Sequence, residues 1–82
     1  MLAKEDSNME NAMFNEIDRW VHRNDVCVFM RGHRAMPGCI DSIYVRDILA
    51  RYGISHYFDV DITESDYVKE MLTRWSNWKT FP

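Results

Sequence analysis

Cysteine is scarce in this chain. Two in 82 residues are too few for the disulfide framework of a small secreted domain. Cys27 lies inside an apolar run and Cys39 at a basic loop–helix junction. Settings so different argue against their pairing, and a reducing compartment, mitochondrial matrix or cytosol, is the simpler reading. Basic excess is lacking too: a formal charge of −3 leaves no electrostatic footprint for nucleic acid. No apolar run approaches the ~18–20 residues of a membrane span, so no membrane association is expected. The opening MLAKEDSNME has three acids and no apolar core, so no targeting segment is visible. There are no repeats, low-complexity segments or internal linkers. The chain is short enough for one small domain at most, which buries only about 60–65% of its unfolded surface.

What is present reads as a soluble α/β domain, with 46% hydrophobic and 28% charged residues. Residues 1–6 are expected as a disordered lead, and 7–82 as the domain. Ser7-Asn8-Met9-Glu10 reads as a capping box that opens a helix with Met13, Ile17, Trp20 and Val21 on one face. Met9, Met13 and Trp20 read as core packing. Val26 to Met30 is a continuous apolar run, as in a strand covered on both faces. Arg31 to Gly38 is a basic loop. From Cys39, Val45, Ile48, Leu49 and Tyr52 recur at helical spacing, and Gly53 is the expected C′ glycine. Ser55 to Ile62 alternates, with Phe58, Val60 and Ile62 opposite Tyr57, Asp59 and Asp61, as in an edge strand. Thr63 is the expected cap of a third helix with Glu64 and Asp66 in its first turn. Val68, Met71, Leu72 and Trp75 form its apolar stripe.

Cys39 is the candidate nucleophile. A helix start and the cations Arg31, Arg34 and His33 favour its thiolate, while Asp41 opposes it. His22, His33 and His56 have no metal-ligand spacing with either cysteine, so no zinc site is expected. The acidic run Asp59, Asp61, Glu64 and Asp66 lacks a calcium-loop pattern and reads as solvated. Trp75 and Trp78 read as packing residues.

The stretch FMRGHRAMPGCIDS resembles the monothiol glutaredoxin signature, in which a strand ending F-M-K-G leads through a T-P loop to P-x-C-G-F-S at a helix start. A second block, SNWKTFP at 76–82, resembles that family's S-N-W-P-T-[FVI]-P. The resemblance covers roughly residues 10–82. It implies a thioredoxin-like (glutaredoxin) fold, of which this chain holds the N-terminal α-β-α-β-α part and is incomplete at its C-terminus.

By this resemblance Cys39 is the catalytic residue and a metal ligand, and Arg31, Cys39, Thr80, Phe81 and Pro82 bind glutathione. Pro82 matches the family's cis-proline, and Ser42 stands where a dithiol enzyme has its second cysteine. The implied activity is glutathione-dependent thiol–disulfide exchange, with electron transfer through a single active-site cysteine. The implied cargo is a 2Fe–2S cluster shared in a homodimer, for assembly or transfer to iron–sulfur or thiol-containing protein partners. Two departures bear on that cluster. The family's C-G-F-S is here Cys39-Ile40-Asp41-Ser42, and the branched Ile40 and the charge of Asp41 predict weak cluster binding. The rival reading, from another class, is a degenerate glutaredoxin-fold interaction module without cluster or redox turnover.

Overall fold

The structure, a computed structural model, describes residues 2–82, and side-chain surroundings from Met9 onward. The elements run α1 (Leu2–Arg23), β1 (Cys27–Met30), α2 (Ile40–Arg51), β2 (Phe58–Asp61) and α3 (Asp66–Ser76). The expected α-β-α-β-α order is present. The first helix, however, begins at Leu2 and runs through Ser7. A lead over 1–6 and a start at Ser7 therefore give way to a continuous helix, and Met1 lies outside the described residues. Leu2-Ala3-Lys4-Glu5 contains no breaker and four good helix formers, and these outweigh the local capping signal of a single Ser.

β1 and β2 pair in parallel, with Cys27 opposite Phe58 and Met30 opposite Asp61. α2 is the crossover that a parallel pair requires. The core lies between the sheet and the other two helices: Ile17 of α1, Ile62 after β2, and Met71 and Leu72 of α3 are buried together. Met13, Trp20, Val21, Val68 and Trp75 pack against them, as the helical spacings predict. Trp20 also meets Phe29 and Phe58 in tilted ring contacts at 6.4 and 5.9 Å. Trp75 Nε1 donates to Asp18 Oδ1 at 2.8 Å, tying α3 to α1. Met9, Tyr52 and Trp78 are exposed rather than packed.

The ends of α2 and α3 are set by local chemistry. At Gly53, φ is +77°. Gly53 N–H donates to Ala50 O and Ile54 N–H to Leu49 O, the paired bonds of a Schellman stop. α3 starts later than Thr63 would place it. Its N-cap is Ser65, whose Oγ accepts from Val68 N–H at 3.2 Å. Thr63 is occupied elsewhere: its N–H and hydroxyl both donate to Asp61 Oδ1.

Candidate functional site

β1 ends at Met30 and the chain enters a closed hairpin rather than an irregular loop. Gly38 N–H donates to Arg31 O at 2.7 Å, and His33 and Met36 exchange both backbone bonds. Gly32 makes this closure feasible. Its φ is +81°, and a Cβ there would lie 2.4 Å from Gly38 N and 2.5 Å from Met36 O, which only glycine avoids.

The hairpin is held down by the two carboxylates of β2. Asp61 Oδ1 accepts from Gly32 N–H at 3.0 Å, and Asp59 Oδ2 from Arg34 N–H at 2.8 Å. Both acids are largely buried, so the expectation of a solvated acidic run is corrected for these two, while Glu64 and Asp66 are exposed as expected. Their alternation along the strand was legible, but their long-range partners were not. The hydrogen bonds from Thr63 and the Gly32 N–H hold the Asp61 carboxyl below the usual carboxylate range against the opposing effect of burial.

The hairpin delivers Cys39 to the N-cap of α2, in extended conformation. Its thiol is partly exposed, and its Sγ lies 3.3 Å from Ser42 Oγ. Ser42 is fully buried, and its Oγ accepts from Arg31 N–H at 3.1 Å. The Ser42 hydroxyl keeps its proton and its second lone pair for the sulfur, so it can donate to a Cys39 thiolate or accept from the thiol. The same Arg31 N–H donates to Pro82 O at 2.9 Å. Cys39, Ser42, the Arg31 backbone and Pro82 thus meet at one point. The Phe81–Pro82 bond is trans, since no described peptide is cis. Trans is the ordinary preference of an X–Pro bond, by about 0.5–1 kcal/mol. Phe81 packs against the core, and Thr80 is exposed.

The Cys39 thiol is shifted below its usual value, first by the Ser42 hydroxyl and the Ser42 N–H, then by the Asp41 N–H; partial desolvation and the Asp41 carboxylate oppose. Asp41 therefore works against the thiolate as expected, as the last of these effects. The expected cationic field is corrected for Arg34 and His33. Arg34 reaches back to the Tyr57 carbonyl and stands over the Tyr57 ring at 5.6 Å. His33 lies among Asp59, Asp61 and Glu64. Both side chains are drawn to β2 rather than to sulfur. Cys27 behaves oppositely: burial, then the Asp59 charge, pushes its thiol up to about 11, so it is no thiolate at neutral pH.

Ser42 is the residue whose role sequence reading missed, because its position relative to Cys39 named only an absent second thiol. Ile40, beside Cys39, projects 80% exposed. Ile43 and Tyr44 share its helix face and are also exposed, as is Met36 in the hairpin. For a shared cluster the chain itself supplies one fitting thiolate, Cys39; the remaining ligands would come from glutathione and a second chain.

The family profile described as Glutaredoxin matches residues 26–82. The "Probable monothiol glutaredoxin 2" of Rickettsia typhi is 34% identical over 74 residues, covering 90% of this chain and 66% of that protein. A chloroplastic bifunctional monothiol glutaredoxin of Arabidopsis thaliana is 39% identical over 69 residues, 80% of this chain and 23% of that protein. A mitochondrial glutaredoxin-related protein of Danio rerio is 32% identical over 66 residues, 80% of this chain and 43% of that protein. The chain thus spans about two thirds of the rickettsial relative's length and less than half of the other two. A free cysteine at a helix cap, a serine three residues on and a profile that covers most of the chain lead to one conclusion: the chain belongs to the glutaredoxin family, alongside its monothiol members.

Proposed function

We propose that this chain is a monothiol glutathione-dependent domain in which Cys39 is the nucleophile. The observation that carries this reading is the Cys39–Ser42 pair at 3.3 Å, with a lowered thiol pKa. In thiol exchange, the Cys39 thiolate attacks the glutathione sulfur of a protein–glutathione disulfide and the protein thiolate leaves. A glutathione thiolate then attacks the glutathione sulfur on Cys39, which releases oxidised glutathione and regenerates the Cys39 thiolate. The net change is one protein thiol formed and one glutathione oxidised. Arg31, Thr80, Phe81 and Pro82 are the proposed glutathione contacts, with Arg31 on a glutathione carboxylate. The proposed setting is a reducing compartment, matrix or cytosol.

Cluster assembly or transfer is the second half of this proposal, with Cys39 from each of two chains as the protein ligand. The reading of an interaction module without turnover is favoured by the exposed Ile40, Ile43, Tyr44 and Met36 around the thiol. Reconstitution with iron, sulfide and glutathione, followed by visible absorption, separates the two. Wild type is expected to hold little cluster and Ile40→Gly/Asp41→Phe more. Equal loading of both would remove the steric and charge argument, and no loading of either would favour the interaction module.

A further inference from the structure

The His33 cluster lies outside the thiol site. It draws on three separate segments: His33 from the hairpin, Asp61 from the end of β2 and Glu64 from the following turn. His33 Nε2 is 3.8 Å from Asp61 Oδ2 and 3.4 Å from Glu64 Oε1, and all three atoms lie within 4.8 Å of one another. Two ligand atoms each about 2.1 Å from a tetrahedral ion stand about 3.4 Å apart. The spacing therefore suits one shared cation, while neither contact of Nε2 is a hydrogen bond among the described residues.

Asp61 supplies a second observation. Its side chain is only 9% exposed. Three donors, Gly32 N–H, Thr63 N–H and the Thr63 hydroxyl, all fall on Oδ1. Oδ2 has no hydrogen-bond partner among the described residues and is held toward His33 Nε2. On the other side of the imidazole, Nδ1 faces Asp59 Oδ2 at 3.9 Å, and Asp59 is itself fixed by Arg34 N–H. At that distance Asp59 acts on the ring through its charge and not through a hydrogen bond. His33 and Glu64 are 51% and 67% exposed, which leaves an entry path and room for water ligands.

We propose that His33 Nε2, Asp61 Oδ2 and Glu64 Oε1 bind a divalent zinc-class cation. Imidazole with carboxylates suits such a borderline ion, and two positive charges offset three clustered carboxylates. The bound ion would staple the hairpin to β2 and so stiffen the segment that presents Cys39.

Zinc chloride titrated into the 82-residue chain, followed by calorimetry and thermal unfolding, tests this. Wild type and Cys39→Ser are expected to bind equally and to gain several degrees in Tm. His33→Ala/Glu64→Gln, which alters exposed side chains only, is expected to weaken zinc by at least about tenfold. Cobalt is expected to give weak visible bands without thiolate charge transfer. Binding lost in Cys39→Ser, binding unchanged in His33→Ala/Glu64→Gln, or no binding by wild type would each overturn the proposal.

Discussion

Two thiols in one small chain experience opposite environments. Cys39 has a hydroxyl and two backbone N–H groups aimed at its sulfur; Cys27 has burial and the Asp59 charge. At neutral pH, iodoacetamide is expected to label Cys39 far faster than Cys27, read by peptide mass spectrometry; equal rates would refute the contrast. Ser42→Ala removes the leading cause, so the pH midpoint of Cys39 labelling is expected to move up toward an ordinary thiol. Asp61 carries the other residue-scale effect. Its folded pKa is depressed, so its stabilisation is full above the unfolded carboxylate pKa of about 4 and is lost as pH falls through the lower folded value. Denaturation followed from pH 7 to pH 2 is expected to show wild type losing this increment on acidification. Asp61→Asn, less stable at pH 7, is expected to show a flatter acid limb. Parallel acid limbs would contradict the assignment.

At the scale of elements, glycine positions separate two kinds of constraint. Gly53 needs positive φ but has open space around its Cβ position, so Gly53→Ala is expected to cost about 1–2 kcal/mol of conformational strain. Gly32 needs positive φ and also meets backbone at 2.4 Å, so Gly32→Ala is expected to cost more and to open the hairpin. Urea unfolding of both variants checks the order; a milder Gly32→Ala would show that the hairpin closure is dispensable. The same contrast explains what sequence reading could reach. Gly53, the stripe Val68–Met71–Leu72–Trp75 and the alternation along β2 are local periodicities, so they were legible. Ser65 displaced Thr63 as a cap because Asp61 claimed Thr63. Asp59 and Asp61 gripped a hairpin 25 and 29 residues away. Contacts at that separation leave no periodic trace in a sequence. The cations of the hairpin were legible as charges, but their direction depended on distant partners, the acids for His33 and Tyr57 for Arg34.

At the scale of the whole molecule, β1 is paired along one edge by β2. Beyond it, Arg31 N–H to Pro82 O is the contact the structure gives. Exposed Met36, Ile40, Tyr44 and Tyr52 add apolar surface along α2 and its approach. A half-paired sheet with such a surface favours self-association. Sedimentation of the 82-residue chain is therefore expected to show mass rising with concentration. A strict monomer unfolding sharply above about 65 °C would contradict this. Above all, the account requires that the molecule act through one activated sulfur. The most direct measurement is the rate and site of mixed-disulfide formation with oxidised glutathione across pH, mapped by mass spectrometry. The expected result is an adduct on Cys39 alone, with a midpoint below the ordinary thiol range, reversed by reduced glutathione. An adduct on Cys27, or a Cys39 midpoint at or above the ordinary thiol value, would contradict the account.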